Sequence, residues 1–514
     1  MSKTIIIIGA GLAGLSAALQ AAENGCNVKL VSSLPSERAQ SVMAEGGINA
    51  ALNTKDENDS PEEHFTDTIK AACGLADQNA VWGMTQAAPE LVHWLLKLGV
   101  KFNMSGYDDV DLRNFGGQKK KRTAFAQSDT GKQIMTAMID AVRRKEASGM
   151  VERFSNHSFL TLRLCGNICC GCVIRDEYSQ ETVELPGDAV IVATGGMHGL
   201  FGNTTGSLSN TGEVTAELFR LGVPLANGEM IQYHPTTVKC GGKRMLISEA
   251  ARGEGGRLFA MKDGKQWYFM EEKYPELGNL MPRDITAREI WKVSHESEVF
   301  LDMTEILDEI ISNKLSGLAD DCMTYLHKDI RKEPVSVLPG IHYFMGGILV
   351  DEQHRTPIQN LCAAGECCAQ YHGANRLGGN SLLGALYGGR VAAKSACEQA
   401  DVVDLSCATQ IDFPPASQIS EIKQLNKVMQ ETMGVVRNEN TLLNGIKTVQ
   451  ALTGNLPLLG MAVLKSALAR KESRGAHWRE DYPKSNDDDY LKTTVARFDG
   501  KQIQISFVPV PERR

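Results

Sequence analysis

Five short stretches hold most of the unusual polar chemistry of the sequence, and each lies in a turn defined by glycine or proline. Their two histidines and three arginines suit a small dianion, because arginine pairs with a carboxylate in a bidentate fork. Any one of these residues taken alone is more often a structural group. The stretches are QYHPTT, LISEAARGEGGR, MPRDITARE, GIHYFMGG and HGANRLGGNSLL, and their polar residues are His234, Ser248, Glu249, Arg252, Arg283, His342 and Arg376.

The N-terminal stretch TIIIIGAGLAGLSAALQAAENGCNVKLV predicts the unit around which the rest is built. Its four isoleucines are typical of a strand buried on both faces of a parallel sheet. Gly9, Gly11 and Gly14 follow, and they permit a tight turn, close approach of a pyrophosphate, and close packing of a helix over residues 12–24. Gly25 is expected to end that helix, and residues 26–31 are predicted to form the second strand.

This unit indicates a dinucleotide site but does not choose the nucleotide. The acidic residue that would bind a ribose at the end of the second strand is absent. Ser32 and Ser33 stand there instead. The pattern therefore leaves NAD and FAD open.

Length and composition are those of an ordinary soluble protein. A chain of 514 residues is long enough for two or three domains, and a net charge of -8 does not favour nucleic acid as a partner. No apolar run reaches the roughly 18 residues that a membrane span requires. The isoleucine run also lacks the flanks of a signal peptide, so we expect a cytoplasmic protein.

The cysteines do not predict a metal site. Cys165, Cys169, Cys170 and Cys172 have the spacing C-x3-C-C-x-C, which matches neither a zinc ribbon nor a ferredoxin run. In a large cytosolic chain we expect the thiols to stay reduced. Alternation on both sides of Gly166 predicts a β-hairpin in which these cysteines are small buried hydrophobic residues.

Periodicity predicts helices over residues 61–73, 81–98 and 131–148. Between the last two lies a polar stretch, residues 103–127, which we interpret as a loop. Its basic run, residues 119–122, is predicted to be a solvated face. Residues 183–196, ending in GDAVIVATGG, are predicted to be another buried strand that closes on glycines.

The pattern changes from about residue 235 to residue 338. Mixed short strands, an elbow over residues 275–282 and a helix over residues 304–315 indicate an inserted second domain. The glycine-rich apolar pattern then returns, so the first domain is predicted to be discontinuous. Residues 417–471 are predicted to form helices separated at Gly434 and at residues 454–457, and a terminal hairpin is expected after them.

Together, the polar stretches carry a family resemblance. The motifs HPTT, SEAARGEGG, PRDITARE, HYFMGG, AAGE, GANRLGGNSLL and RKESRGAHWREDYP occur in this order. In this order they closely resemble the flavoprotein subunits of fumarate reductase and succinate dehydrogenase, from Lys3 to about Val508. The stretches KDGKQWYFMEEKYPELGN and EGGINAALNTKDENDSPEEHF look most like the menaquinone-linked bacterial branch.

The resemblance implies an α/β fold with FAD as cofactor. Expected are a discontinuous Rossmann-like FAD-binding domain (residues 1–235 and 339–400), an inserted α+β capping domain (236–338) and a C-terminal helical domain with a terminal hairpin (401–514). The capping domain would close over a C4 dicarboxylate. The FAD-binding residues implied are Gly9, Ala10, Gly11, Leu12, Ala13, Gly14, Ser32, Gln40, Ser41, Ala44, Gly46, Gly47, Glu213, Glu366, Arg376, Ser381 and Leu382.

Roles in catalysis also follow from the resemblance. The groups that would bind the substrate carboxylates and polarise the double bond for hydride transfer are His234, Ser248, His342 and Arg376. Arg283 would deliver the proton, with Glu249 and Arg252 as its relay. A guanidinium is a poor acid, so this role requires proton transfer in step with hydride transfer and immediate replacement of the proton.

Three positions depart from the family pattern. Gln40 stands where the respiratory enzymes carry a histidine bonded covalently to the flavin, so the resemblance predicts noncovalent FAD and, by analogy, favours fumarate reduction. Glu45 stands where succinate dehydrogenases usually have glutamine and some fumarate reductases have glutamate. Near the flavin ring it would resist ionisation unless paired. Glu213 replaces the usual aspartate, which is a mild change.

Two other functions remain open. L-aspartate oxidase is a relative with noncovalent FAD, but it needs an anion for the ammonium group of its substrate. Its loop has a glutamate before paired glycines where this chain has Phe115, a ring suited to an uncharged C2–C3 unit. The other alternative is a flavoprotein subunit that passes electrons on without turnover of its own, but such a subunit would lack the arginines.

The family usually works with an iron-sulfur subunit and a membrane anchor. Nothing in the cysteine spacing supplies iron-sulfur clusters within this chain, and we expect no bound metal. Electrons must then come from a partner or a soluble reductant, and membrane association would depend on partner subunits. The stretch ESRGAHWREDYP, near the subunit contact region of the family, is compatible with such a partner.

Overall fold

The computed structural model describes residues 2–106, 109–399, 413 and 418–513. The strands are β1 (Thr4–Ile8), β2 (Asn27–Ser32), β3 (Ile48–Asn49), β4 (Leu112–Arg113), β5 (Thr123–Ala124), β6 (Val151–Ser155), β7 (His157–Cys165), β8 (Ile168–Asp176), β9 (Thr182–Pro186), β10 (Ala189–Val192), β11 (Leu225–Ala226), β12 (Ile231–Cys240), β13 (Lys243–Leu246), β14 (Arg257–Lys262), β15 (Lys265–Trp267), β16 (Val299–Asp302), β17 (Val335–Ser336), β18 (Leu338–Phe344), β19 (Gly347–Leu349), β20 (Leu361–Ala363), β21 (Cys368–Ala369), β22 (Lys492–Phe498) and β23 (Ile503–Pro509).

The α-helices are α1 (Leu12–Glu23), α2 (Pro61–Ala71), α3 (Gln78–Leu98), α4 (Thr130–Ala147), α5 (Glu213–Arg220), α6 (Glu249–Gly253), α7 (Phe269–Lys273), α8 (Arg283–Val293), α9 (Asp308–Lys314), α10 (Ser316–Asp321), α11 (Asn380–Gln399), α12 (Ile419–Thr432), α13 (Glu439–Val449), α14 (Asn455–Ala469) and α15 (Asp487–Tyr490). The helices predicted over residues 61–73, 81–98 and 131–148 correspond to α2, α3 and α4. The break predicted at residues 454–457 is shorter, because α14 already begins at Asn455.

A parallel five-stranded sheet organises the nucleotide-binding part, in the order β20-β10-β1-β2-β6. The isoleucines of β1 are at most 3% exposed, as expected for a central strand covered on both faces. Helices α1, α4 and α11 pack together on one face of this sheet. The predicted strand–turn–helix–strand unit is therefore confirmed, with the second strand over residues 27–32.

The prediction of one buried strand over residues 183–196 is wrong. Only β10 belongs to the parallel sheet, where Ile191 pairs with Ile7. The preceding strand, β9, is the outer strand of a separate sheet in the order β7-β8-β9. Gly187 and Asp188 separate the two strands, and most of β9 is exposed, unlike β10.

The predicted hairpin of β7 and β8 is present, with Cys165 paired to Ile168 across its turn. Cys169, Cys170 and Cys172 are buried free thiols, as expected. Cys165 contradicts the expectation of reduced thiols, because it is disulfide-bonded. Cys165 is half-buried at the end of β7, whereas the three free thiols of β8 are buried.

The stretch over residues 103–127 is not simply a polar loop, because β4 and β5 form a three-stranded sheet with β3. Arg122 contradicts the predicted solvated face, since its side chain is 0% exposed. It lies 2.8 Å from Asp59 and 3.0 Å from Asp67. Two carboxylates compensate the guanidinium for its lost hydration, which the sequence pattern of a basic run does not show.

A second unit lies between β12 and β18. Its four-stranded sheet, in the order β15-β14-β16-β17, packs with neighbouring helices around its own apolar core. The helix predicted over residues 304–315 is α9, which is shorter. Strands β12 and β18 pair with each other and cross the proposed domain borders at 235/236 and 338/339. The proposed border at 400/401 lies outside the described residues.

The C-terminal part consists of α12, α13 and α14 followed by the terminal hairpin of β22 and β23. Through β22 this hairpin joins a five-stranded sheet with β11, β19 and β21. Within the ranges described above, no helix has both the length and the apolar character needed to cross a membrane.

The motif RKESRGAHWREDYP lies largely inside the chain. Arg470 donates to Glu229 and to Glu472 at 2.7 Å, and all three side chains are 0% exposed. His477 Nδ1 lies 2.9 Å from Arg437 Nη1. Within this motif, Arg470 thus connects the C-terminal part to the segment before β12 through a buried ion pair. This role inside the chain does not depend on a partner subunit.

Candidate active site

One cavity of about 580 Å³ runs from the turn after β1 to the polar groups of β12, α8 and β18. It is lined by every residue predicted to bind FAD, to bind the substrate or to act in catalysis, except Gly14 and Arg252. The cavity has two chemically distinct regions. One is bordered by glycines and the N-termini of helices, and the other by histidines and arginines.

At the glycine-rich end, the turn after β1 packs closely against the segment that follows β10. Gly9 has a φ of +108°, and a Cβ there would lie 2.3 Å from the carbonyl oxygen of Ala193. The N-terminus of α1 has no side-chain cap from Gly11, and the Leu12 N–H donates to Ser41 Oγ at 3.3 Å. N–H groups at a helix N-terminus suit a pyrophosphate.

Gly14 allows close packing of α1 against the turn. A Cβ on Gly14 would lie 1.8 Å from the carbonyl oxygen of Gly9, so only glycine lets α1 pack this closely against the turn. Gly14 does not line the cavity. It therefore shapes the turn, which is the packing role expected for the third glycine.

Several polar groups at this end face the cavity. The Ser32 hydroxyl is buried and has no hydrogen-bond partner in the described part of the chain. Glu366 accepts a hydrogen bond from the Phe344 N–H at 3.1 Å. Burial raises the pKa of Glu213, which begins α5. The remaining predicted cofactor residues on the cavity wall are Ala10, Ala13, Gln40, Ala44, Gly46, Gly47, Ser381 and Leu382.

Glu45 lies between the two ends of the cavity. Burial is the largest cause that raises its pKa to about 8, and the nearby Asp321 carboxylate raises it further. The Ser248 hydroxyl and Arg113 act in the opposite direction. Its Oε2 atom has no partner among the described residues. As expected from the sequence, this carboxyl resists ionisation.

At the other end, the histidines of β12 and β18 face each other with ring centroids 5.2 Å apart. His234 Nδ1 contacts Thr236, and its Nε2 has no partner in the described part. His342 Nδ1 lies 2.8 Å from Thr205 Oγ1. Burial, followed by the charge of Arg283, holds the pKa of both histidines well below the usual range, so both are neutral.

Arg376 also lines this end of the cavity, with its guanidinium 4.3 Å from the ring centroid of Tyr343. Burial and the charge of Arg283 lower the pKa of Arg376 to about 9. Its Nε has no partner in the residues described. A buried arginine with unused donors favours an anionic ligand.

Arg283, the first residue of α8, is held by a carboxylate. Its Nε and Nη2 donate to Glu249 Oε2 at 2.8 and 2.6 Å, and its Nη1 donates to Gln232 Oε1 at 3.1 Å. Glu249 Oε1 accepts from the Gly116 N–H at 3.0 Å and lies 3.4 Å from Arg252 Nη2. The predicted trio is therefore in contact.

Within the same trio, the two arginines keep Glu249 ionised. Burial, the largest influence on Glu249, raises its pKa, but Arg283, Arg252 and the Gly116 N–H together lower the pKa below the ordinary value. Glu249 is thus a carboxylate. Burial also lowers the pKa of Arg252, which donates to the Asn279 carbonyl at 2.6 Å behind the cavity wall.

Two further predicted groups complete this end. Ser248 caps α6 by accepting from the Ala250 N–H. Phe115 is 2% exposed, and its ring fills the space where Gly46 and Gly378 lack side chains. The cavity here offers neutral hydrogen-bond donors, two arginines and an apolar wall, which is an arrangement suited to a small dicarboxylate.

Sequence reasoning missed several residues of the site. Gln232 and Tyr343 are neighbours of the two histidines within QYHPTT and GIHYFMGG, so those motifs contained a signal for them. Thr205 lies in NTTGS, which contains no comparable signal. Among the described residues, no group of His, Cys, Asp or Glu has an arrangement that could hold a metal ion.

Comparisons with known proteins agree with this geometry. The family described as "FAD binding domain" matches residues 4–382, and "Fumarate reductase flavoprotein C-term" matches residues 452–513. The succinate dehydrogenase flavoprotein subunit of Bacillus subtilis strain 168 is 38% identical over 576 residues, which cover 100% of this chain and 98% of the relative.

The chain belongs to the succinate dehydrogenase/fumarate reductase flavoprotein subunit family. The 8-methylmenaquinol:fumarate reductase flavoprotein subunit of Wolinella succinogenes is 32% identical, over 100% of this chain and 92% of that protein. The solved FrdA chain of Escherichia coli quinol fumarate reductase has a TM-score of 0.90 at 28% identity, over 100% and 97% of the two chains. The family and fold class predicted from the sequence are confirmed.

As a member of this family the chain is an FAD-dependent oxidoreductase. The residues present fit FAD. A glycine cradle next to an uncapped helix N-terminus suits a pyrophosphate, and the unpartnered Ser32 hydroxyl suits a polar group of the nucleotide. This resolves the choice between NAD and FAD that the glycine pattern left open.

Proposed function

We propose that this chain reduces a C4 dicarboxylate of the fumarate type, with Arg283 as the proton donor. The observation that carries the proposal is the contact of Arg283 with Glu249, beside two neutral histidines and Arg376 in one cavity. When bound, FAD supplies the hydride chemistry of the reaction. The remaining steps depend on residues of the chain.

The substrate carboxylates are bound by His234, His342, Ser248 and Arg376. When His234 Nδ1 accepts from the Thr236 N–H, its Nε2 carries the proton and donates to a carboxylate. Arg376 stabilises the negative charge that builds up on the carboxylate conjugated to the reacting carbon. Phe115 packs on the uncharged carbons between the two carboxylates.

Arg283 donates a proton to the carbon that becomes anionic. Glu249 and Gln232 hold its three nitrogens, so the guanidinium is oriented before the substrate arrives. The proton it loses is replaced through Glu249, with Arg252 behind it. This fixed relay makes a guanidinium a workable acid.

The FAD of this chain is proposed to be noncovalent, because Gln40 lines the cavity where the family carries the bonding histidine. The relatives are named as subunits, and we propose that electrons reach this chain from an iron-sulfur partner or a soluble reductant. The flavoprotein subunit without turnover is disfavoured, because the arginines and histidines contact one cavity.

L-aspartate oxidase remains the second candidate, and one observation favours it. Glu45 is a carboxyl group beside Ser248. An ammonium group bound there would have a carboxyl partner, which Phe115 cannot provide. Against this, the raised pKa of Glu45 leaves it mostly neutral at pH 7.

A substrate screen separates the two candidates. Purified FAD-loaded protein is assayed with fumarate and a reduced dye, and separately with L-aspartate and oxygen. We expect dye oxidation that depends on fumarate, and no peroxide with aspartate. Peroxide formation from aspartate at a rate comparable to fumarate reduction would contradict the proposal.

A further inference from the structure

We propose that the hairpin of β12 and β13 forms an outer anion subsite, built on Arg244 and Lys243, through which the dicarboxylate approaches the histidines and Arg376. This inference rests on the proposed function for the class of its ligand. It adds two residues that sequence analysis did not single out. Both line the mouth of the cavity.

The hairpin begins and ends at groups of the substrate site. His234 lies on β12, and Ser248 follows β13 by two residues. Across the hairpin, Lys239 pairs with Arg244, and Cys240 pairs with Lys243. The turn is thereby fixed to the inner site by two paired strands.

Arg244 is held in place beside the histidine strand. Its Nε donates to Thr237 Oγ1, and its Nη2 lies 3.3 Å from the carbonyl oxygens of Thr237 and Leu338. Its side chain occupies the space next to Gly340, where a Cβ would lie 2.7 Å from Arg244 Cδ. Gly340 precedes His342 by two residues, which corresponds to about 7 Å along a strand.

A second connection leads to the same histidine. The Arg244 N–H donates to the Thr204 carbonyl at 3.2 Å, and the adjacent Thr205 hydroxyl contacts His342 Nδ1. Arg244 is thus next to the dicarboxylate end of the cavity. The turn at Gly9, which suits a pyrophosphate, lies at the opposite end.

The charge of Arg244 lacks a counter-ion. In the part of the chain that the structure describes, neither Arg244 nor Lys243 forms an ion pair, and the side-chain partners of Arg244 are neutral oxygens. The guanidinium is half-buried, and burial lowers its pKa. A half-buried cation without a carboxylate is stabilised by an anionic ligand.

Lys243 extends this positive charge outward, because it is exposed at the turn. An exposed cation at the mouth of a cavity raises the association rate of an anion, and salt screens the effect. The outer anion subsite should therefore act on the association rate constant of a dianion more than on turnover.

Malonate is the probe, because it is a dianion without a double bond to reduce. Its association with FAD-loaded protein is followed by the flavin absorbance change in a stopped-flow instrument. At low ionic strength we expect Lys243→Gln to lower the association rate constant about threefold, with convergence on the wild-type value at high salt. Lys239→Gln removes the same charge from the same hairpin, but Lys239 does not line the cavity and should leave the rate almost unchanged.

Two variants of Arg244 distinguish the effect of its positive charge from the effect of its hydrogen bonds within the hairpin. Arg244→Gln should lower the association rate constant about tenfold. Arg244→Lys keeps the charge and should stay within about twofold of the wild type. Equal rates for Lys243→Gln and Lys239→Gln at low salt would overturn the subsite. Failure of the wild-type protein to bind malonate or to reduce fumarate would instead overturn the proposed function.

Discussion

The distinctive residue of the site is Arg283, because its surroundings differ from those of an arginine that only binds a carboxylate. Its partner Glu249 is itself held by the Gly116 N–H and faces Arg252. The guanidinium is therefore fixed in position and connected to a second arginine. This arrangement suits proton delivery with replacement.

Replacing Arg283 tests that role. Arg283→Lys should lower turnover with fumarate by about 10²- to 10⁴-fold, the usual contribution of a positioned acid. The dissociation constant for fumarate should change little, because the histidines and Arg376 remain. Steady-state kinetics and a binding titration measure the two effects.

Arg288→Lys is the matched control, since Arg288 lies on the same helix and stacks on Trp478 at 4.0 Å. It should keep nearly full turnover. Activity of Arg283→Lys close to that of the wild type would refute the role of proton donor.

Gln40 gives a second residue-level prediction. An amide side chain cannot form the covalent bond that a histidine makes with the flavin in respiratory enzymes of this family. Acid precipitation of the yellow protein should release FAD into the supernatant, where its absorbance is measured. Flavin that remains in the pellet would rule out noncovalent binding.

At the scale of residues, the sequence predicted which side chains belong to the site better than it predicted their burial and pKa values. Long motifs identified the residues proposed for catalysis and substrate binding, and all of them except Arg252 line one cavity. The raised pKa of Glu45 and the burial of Arg122 depend on neighbours far away in the chain. A local pattern of residue types contains no such information.

Among the elements, β1 and α1 determine where the cofactor binds. The strand is a run of isoleucines, and its helix starts within a few residues, so hydrophobic pattern and glycine spacing predict both. The separation of β9 from β10 was not predicted, because only Gly187 and Asp188 lie between the two strands. Their different burial arises from sheets assembled at long range.

The close packing of α1 can be tested at Gly14. Gly14→Ala places a methyl group against the Gly9 carbonyl, so we expect loss of more than about 2 kcal/mol in the free energy of unfolding. FAD content should also fall, although Gly14 does not line the cavity. Thermal unfolding and the flavin-to-protein absorbance ratio measure these effects.

Gly99→Ala is the control, because Gly99 has a φ of +100° with open space around it. Gly99→Ala should lower the free energy of unfolding by about 1 kcal/mol and leave the FAD content unchanged. Normal FAD content in Gly14→Ala would show that the turn tolerates a side chain there.

At the scale of the whole molecule, the site is assembled from segments far apart in the sequence. The glycine turn lies near the N-terminus, the proposed acid in the middle, and Arg376 beyond the inserted unit. The buried pair of Arg470 with Glu229 joins the C-terminal part to the segment just before β12, the strand that carries His234. One chain therefore supplies residues for both FAD and the proposed dicarboxylate.

The most direct test of this account is reoxidation of the reduced protein by fumarate. Purified FAD-loaded protein is reduced chemically without oxygen, fumarate is added, and flavin absorbance and succinate are measured. We predict return of the oxidised flavin spectrum with one succinate formed per flavin, without any partner subunit. A flavin that stays reduced in the presence of saturating fumarate would contradict the account.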